Sequence, residues 1–408
     1  MENNAEALIN YTMQQLASLI FLIDHRLSPR FFTRESPLGF VKTVLLTLRS
    51  IKKSIKAEIL DFFHKIDKNI ISPSRQALTQ AREKISFLAF KNFFDKSCEL
   101  AVNSDGARLF KGFRIFAVDG TSFVVGALGK LAEYFGTSTT IEGKAMCRIS
   151  AVVDVLNECI VNGIVSPFCV GERALAIEQI KQLMSVTNAL FLFDRGYWSP
   201  ELVSAIIENG QKFVMRLPSN VGKTIVKDKD GNIVKLRRYS FILPSGERET
   251  LLTNLTKDEM SDEELADLYA MRWGAETKYL ELKDRLQIDQ FSGESVNIVL
   301  QDIYSTLYMS NLVAFICFES DEIIKERTTG KNNKYDKKSN RSTCISALRT
   351  RFVEICFMAN EQKREEALRR LYIEISKDTV DIGKSKSRPR DKRKLKESRL
   401  HRPKKSAL

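Results

Sequence analysis

Tyr269-Ala-Met-Arg272-Trp273-Gly-Ala-Glu276-Thr-Lys-Tyr-Leu-Glu-Leu-Lys283 sets a Tyr, an Arg, a Glu and a Lys at offsets 0, 3, 7 and 14. On a regular helix these fall at about 0°, −60°, −20° and −40°, within one arc of about 60°. The flanking sequence predicts such a helix from Asp262 to Asp289. Ser261 is placed as its N-cap, and Asp262, Glu263 and Glu264 fill the first turn, where the helix dipole favours acids. One stripe thus carries a carboxylate flanked by two cations and a phenol: a metal ligand among groups that hold phosphates. The plainer reading is that Arg272 and Glu276 form an i,i+4 pair that only stabilises a solvated face.

Two further segments bear on that choice. Phe113-Arg-Ile-Phe-Ala-Val-Asp119-Gly120-Thr121 is a short apolar run, fit for a buried strand, that ends in a carboxylate. Ala189-Leu-Phe-Leu-Phe-Asp194-Arg195-Gly196-Tyr197 repeats the design. Acids at the tips of buried strands stand where open α/β sheets build their sites. Each alone also reads as turn chemistry. Strand-acid, strand-acid, helix-acid in that order is far less ordinary.

With these residues in view, the chain resembles bacterial insertion-sequence transposases with a DDE triad, specifically insertion-sequence family four, the YREK-signature group. Asp119, Asp194 and Glu276 take the triad positions. Tyr269, Arg272, Glu276 and Lys283 carry the signature. "SAVVDVLN", "GERALA", "LLTNL" and "LYAMRW" add to the likeness, which covers roughly residues 70–405. The resemblance implies an α/β fold: an RNase H-like catalytic core interrupted by a β-rich insertion domain, with helical N- and C-terminal regions.

Composition is compatible with this. The chain has 408 residues, 43% hydrophobic and 28% charged, enough for two to three domains. Seven cysteines form no C-x-x-C pair and only three histidines occur, which argues against zinc spacing and a His-based triad. The best membrane candidate, Val296 to Phe318, carries Asp302, Ser310 and Asn311 and reads as a buried helix. The first residues lack the basic start of a signal peptide, so a cytoplasmic, nucleoid-associated protein without membrane contact is expected. Of the net charge of +13, Lys384 to Lys405 supply +10, from twelve Lys and Arg against Asp391 and Glu397. Such a tail reads as a disordered arm for a polyanion, or else as a solubilising segment.

Along the chain, 1–108 reads as helical: Ala5–Leu27, Leu38–Phe63, and a helix opened by Ser72-Pro73 that presents Arg75, Gln80, Arg82 and Lys84. A helix-turn-helix and plain bundle packing remain equal readings. The core runs as 109–205 plus 262–320. Its strands are Phe113–Val118, Ser150–Val155, Cys159–Val165 and Ala189–Phe193, with Glu172–Met184 a crossover helix and Asp154 a structural acid. The insertion, 206–261, is strand-rich and basic at Lys223, Lys227, Lys235, Arg237 and Arg238, with Tyr239 and Phe241 interleaved. It holds no Trp. Hairpin-forming relatives stack a flipped base on an aromatic there, and Tyr239 or Phe213 would have to substitute. The region 321–383 joins a polar linker, Thr328–Asn340, to a helical stretch, Ser342–Ser376, and 384–408 is the tail.

The resemblance implies cleavage at transposon ends and transfer of 3′-OH ends to target DNA. Mg²⁺ as two ions, with Mn²⁺ substituting, suits the oxygen ligands Asp119, Asp194 and Glu276. Tyr269, Arg272 and Lys283 are expected on DNA phosphates, with Arg195, Tyr197 and Trp273 near the terminal nucleotides. Double-stranded DNA, as transposon ends and target, and a homodimer in a synaptic complex are the expected partners. A metal-dependent nuclease of the same fold and a domesticated DNA-binding protein are the alternatives.

Overall fold

The computed structural model describes residues 3–49, 54–66, 71–138, 141–222, 225–243, 246–331 and 334–382. The basic tail and Lys223 lie outside the described residues. The chain divides into two compact units, Ala101–Glu281 on one hand and Met1–Leu100 with Leu282–Leu408 on the other.

Small polar residues punctuate the N-terminal helices. The stretch expected as one helix over Ala5–Leu27 is two, α1 (Asn4–Ala17) and α2 (Leu19–His25). Ser18 turns extended between them and caps α2 through Phe21 N. Leu38–Phe63 likewise yields α3 (Phe40–Leu48) and α4 (Ile55–Ile66). Next come α5 (Arg75–Arg82) and α6 (Leu88–Val102). The cap of α5 is Ser74, whose side chain accepts from Ala77 N, and not Ser72 as the Ser-Pro pair suggested.

The unit Ala101–Glu281 is built on one sheet. In chain order it holds β1 (Arg114–Ala127), α7 (Lys130–Phe135), β2 (Thr137–Ser138), β3 (Ile141–Asp154) and β4 (Cys159–Pro167). Then follow α8 (Glu172–Gln182), β5 (Ala189–Phe193), a 3₁₀ turn (Arg195–Tyr197), α9 (Pro200–Glu208) and β6 (Lys212–Arg216). It closes with β7 (Arg237–Ile242), β8 (Arg248–Thr253), α10 (Asp262–Ala270) and α11 (Trp273–Leu280). An antiparallel meander, β1–β3–β4, is extended on the other side of β1 by β5 and β6, each parallel to its neighbour. A three-strand meander followed by two parallel strands that arrive through helices α8 and α9 is an RNase H-like sheet. β5, Ala-Leu-Phe-Leu-Phe, is buried at every position, as a parallel strand covered on both faces must be. The stretch 206–261 is strand-built as expected, but its strands belong to this same sheet. β6 is a core strand, and the β7–β8 hairpin adds to it through β8.

Past the sheet unit, α12 (Val296–Thr328) has 33 residues and buries Asp302, Ser305, Ser310 and Asn311 among its apolar side chains. Among the described residues no helix is long and apolar enough to cross a membrane. The basic residue Arg82, read from sequence as presented for binding, is 2% exposed. Its guanidinium meets Asp302 Oδ1 (3.0 Å) and Gln301 Oε1 (2.9 Å), so it is an internal brace. The polar linker contains β9 (Lys337–Ser339). The helical stretch after it is two helices, α13 (Arg341–Cys356) and α14 (Glu361–Ile375), and β10 (Thr379–Asp381) returns to pair with β9.

Candidate active site

Strand register alone brings two acids side by side. The parallel pairing of β1 and β5 runs from Arg114↔Ala189 to Ala117↔Leu192, a constant offset of 75 (189 − 114). The same offset (194 − 119) sets Asp194 beside Asp119, one residue beyond the end of β5. Asp119 is not at a strand tip as its apolar run suggested. β1 continues to Ala127, and Asp119 pairs with Ala151 of β3 inside the antiparallel stretch. It lies where β5 has ended, so one flank of β1 is open to a ligand. Asp194 caps the 3₁₀ turn, its Oδ1 accepting from Gly196 N at 2.8 Å.

The third acid comes on a helix. The Ser261 cap forms as expected, as a full capping box with Glu264. The single regular helix to Asp289 does not. Around Met271 and Arg272 the backbone tightens to i→i−3 bonds, Met271 N to Leu268 O (3.0 Å) and Arg272 N to Tyr269 O (3.1 Å). After α11 the chain widens into a π turn, Glu281–Arg285. Overwinding and then underwinding spoil the constant angular step behind the predicted stripe. Two residues seat α11 on the sheet. Gly274 lies so close to Val155 that an added Cβ would stand 3.0 Å from the Val155 Cβ. Tyr279, buried, donates its hydroxyl to the main-chain oxygen of Asp119 at 2.7 Å. The helix that carries Glu276 is thereby tied to the strand that carries Asp119.

The charges of the three acids are coupled. The Asp119 carboxyl is pushed up to about 6, first by burial and also by the like charges of Asp194 and Glu276. Its bond from Gly120 N (2.9 Å) and the Arg272 guanidinium pull the other way. Arg272 pairs with Glu276 at 2.9 Å, and its guanidinium lies over the rings of Trp273 (5.3 Å) and Tyr269 (5.9 Å).

Residues 111–312 match the family described as Transposase DDE domain. The matched stretch holds Asp119, Asp194 and Glu276, and is similar to a transposase DDE domain. Over 65% of its length it is 23% identical to the transposase InsG for insertion sequence element IS4 of Escherichia coli, covering 66% of that protein. It is 24% identical to the InsZ protein of Escherichia coli over 34% of its length, covering 47% of that protein. The chain thus spans about half to two thirds of the curated relatives it matches. Among solved structures, the piggyBac transposase synaptic complex with hairpin DNA aligns with 91% of the chain and 85% of its own, at a TM-score of 0.48 and 10% identity.

Within the matched stretch, the three acids offer the hard oxygen donors that a divalent cation of the Mg²⁺ kind takes. Two buried polar atoms nearby, Arg272 Nε and the Tyr197 hydroxyl, have no hydrogen-bond partner. As the side chains stand, no three acids, histidines or cysteines among the described residues lie close enough to hold a metal ion.

The other expected contact residues divide by exposure. Arg195 is exposed and Trp273 is 54% exposed. Tyr269 is buried, its hydroxyl pushed up to about 12 chiefly by that burial. Tyr197 is 2% exposed and packs on Phe193 at 5.6 Å, so it presents no face to a nucleotide. Its spacing after Asp194 suggested proximity, and the 3₁₀ turn sends it inward instead. Lys283 is half-buried in the π turn and belongs to the other unit. Phe213 is buried in β6 and cannot stack a base, whereas Tyr239 is half-buried and stacked on Phe241 at 5.4 Å. Asp154 is the structural acid expected, fully buried and held by Arg114 at 2.6 Å. Sequence reasoning missed Tyr279. Its one signal was position, since it follows Glu276 by three residues and so shares its helix face.

Proposed function

We propose that this protein is a DNA transposase that cleaves phosphodiester bonds at transposon ends and joins the freed 3′-OH ends to target DNA. The observation that carries the reading is the pairing of Asp119 with Asp194 by strand register, with Glu276 coupled to them inside a stretch similar to a transposase DDE domain. Asp119, Asp194 and Glu276 would hold two Mg²⁺ ions, or Mn²⁺ in their place. When bound, the ions supply charge relief for the attacking and leaving oxygens of the phosphodiester.

The side chains around the acids divide the remaining tasks. Asp119, half-buried and beside both other acids in charge, would be a ligand of these cations. Arg272 leaves Glu276 free for its cation by turning toward a DNA phosphate, a bidentate partner suited to its fork. Trp273, exposed beside Arg272, stacks on a terminal base, and Arg195 contacts the backbone next to it. Tyr269 and Lys283 supply weaker phosphate contacts, and the 384–408 tail adds non-specific attraction to DNA. Two chains act together, each bound to one end, as a homodimer on paired double-stranded ends.

Two experiments test this. A duplex bearing the inverted repeat that flanks the gene, incubated with Mg²⁺, should be nicked to leave a 3′-OH and then joined to a second duplex. Cleavage without joining would identify a nuclease. Mixing Glu276→Ala chains with chains defective in end binding should restore part of the cleavage. Absence of rescue, with a rate per chain unaffected by dilution, would mean a monomeric enzyme.

A further inference from the structure

We propose that Arg216 is a further DNA-contact residue of the active site, one that holds the backbone phosphate next to the cleaved one. This deepens the transposase reading and rests on it.

The sheet places the residue. The parallel pairing of β5 and β6 runs from Leu190↔Lys212 to Phe193↔Met215, a constant offset of 22 (212 − 190). The same offset (216 − 194) sets Arg216 beside Asp194, whose backbone is still extended (φ −79°, ψ 174°). Residues level with each other on paired strands turn their side chains to one face. Asp119, Asp194 and Arg216 thus form a row across β1, β5 and β6. With neighbouring strands about 4.8 Å apart, the Arg216 backbone stands one step from Asp194 and about 10 Å from Asp119.

Two neighbours share that face. Arg216 pairs with Leu251 of β8, and Glu249, two residues along the same strand, meets Arg216 Nη1 through Oε1 at 2.8 Å. Tyr269 of α10 is the other. Burial dominates the upward push on its hydroxyl, and the charges acting there are those of Arg272, Glu249, Arg216 and Asp194. Two guanidiniums and the second acid therefore lie within electrostatic reach of one phenol. Arg272 serves the Glu276 side of the site, and Arg216 the Asp194 side.

The partners of Arg216 set it apart from the brace in the same sheet. Arg114, its side chain 5% exposed, closes on Asp154 and on the carbonyls of Ala101 and Val102. The side chain of Arg216 is 28% exposed. Among the described residues Glu249 is its one hydrogen-bond or ion-pair partner, through a single nitrogen. A guanidinium carries five N–H donors in a planar fork that fits two phosphate oxygens. Most of that fork is left for an anion. Three carboxylates repel DNA, and cations held by them offset the cleaved phosphate. The next phosphate along the backbone needs a counter-charge of its own, one step beyond the acids, where Arg216 stands. The bland alternative is a cross-strand ion pair that only fastens β8 to β6.

The test is cleavage by the full chain with Mg²⁺ of the inverted-repeat duplex, with one linkage at a time beside the cleaved bond made a neutral methylphosphonate. Wild type should slow by about tenfold or more at the linkage that Arg216 holds, as for a lost hydrogen bond to a charged group. Arg216→Ala should slow by a similar factor on the unmodified duplex. The methylphosphonate at that linkage should then cost it nothing further, since both changes remove the same contact. Should Arg216→Ala fail to fold, Arg216→Gln with Glu249→Gln removes the pair without stranding a buried carboxylate, and must lose the same phosphate dependence. A brace gives the contrary result, in which the variant keeps the full wild-type penalty at every linkage, and that overturns the proposal. So does a wild type indifferent to neutral linkages on both sides of the cleaved bond, or wild-type cleavage by either folded variant. In these cases wild type cleaves and only the role of Arg216 falls. If wild type does not cleave the duplex at all, the transposase reading falls, and the role of Arg216 with it.

Discussion

Two places along β1 treat the acids beside them in opposite ways. Where β1 begins, Asp154 of β3 is fully buried and completely answered. Arg114 reaches it through Nε (3.0 Å) and Nη2 (2.6 Å), and also donates to the Ala101 carbonyl at 2.9 Å. Asp154 in turn accepts from Asn157 N at 3.1 Å. Five residues further along β1, Asp119 is half-buried beside two like charges. The nearest cation, Arg272, spends its hydrogen bond on Glu276 and leaves Nε unpartnered. One place is a structural brace whose polar groups close on one another. The other is left open in charge and in hydrogen bonding, which is how a site kept for a charged ligand differs from a scaffold.

The largest effect that tests this contrast is on chemistry. Asp119→Ala, Asp194→Ala and Glu276→Ala should each lower end cleavage with Mg²⁺ by at least about a thousandfold, a drop of roughly 4 kcal/mol in transition-state stabilisation, with DNA binding retained. A variant that still cleaves within about tenfold of wild type (roughly 1.4 kcal/mol) would move its acid out of the site. Asp154→Ala should do the reverse, acting through the fold. It strands a buried guanidinium and should cost about 3–5 kcal/mol in urea unfolding. A loss under about 1 kcal/mol would mean that the brace is not one.

The sign of stability at the active site should be inverted. The Asp119 carboxyl titrates at about 6 in the folded chain against 3.8 for the ordinary group. Between those values the folded state holds the extra proton, so stability falls as pH rises through that window and stays low above it. Asp119→Asn should therefore stabilise the cation-free protein at pH 8 by up to about 3 kcal/mol, the equivalent of roughly two pKa steps. The gain should vanish below pH 4 and shrink when Mn²⁺ is added. Equal stability of the two proteins at pH 8 would show that Asp119 is not frustrated. The smallest effect belongs to Tyr279→Phe, which removes the hydroxyl that donates to the Asp119 carbonyl at 2.7 Å and, at 3.5 Å, to that of Ile149. It should cost about 1–2 kcal/mol of stability and raise the Mg²⁺ concentration needed for cleavage. An unchanged Mg²⁺ requirement would reduce Tyr279 to packing.

Much of this was legible in the sequence. Apolar runs ending in Asp119 and Asp194, and the spacing of Tyr269, Arg272 and Glu276, single out the acids, because strand burial and helix periodicity are local properties of composition. The crossover helix α8 follows from the same reasoning, and the structural role of Asp154 from the resemblance, which places the triad elsewhere. Other readings failed where one element answers to another. Arg82 looked like a surface cation until Asp302, more than two hundred residues away, supplied its partner. Tyr197 looked like a DNA contact until the 3₁₀ turn sent it inward against Phe193. The expected helix from Asp262 broke at Arg272 and widened at Glu281, since the angular arithmetic assumed a constant 3.6 residues per turn.

The sequence by itself singled out three candidate carboxylates, Asp119, Asp194 and Glu276, and the kind of element on which each one rides. Only the tertiary structure decided how they meet. The 75-residue register of β1 with β5 places Asp194 beside Asp119. The bare Cα of Gly274 and the Tyr279 hydroxyl bring Glu276 down to them. Periodicity is written into neighbouring residues, whereas register and close approach are set by side chains that touch across the sheet, and no local pattern carries that information.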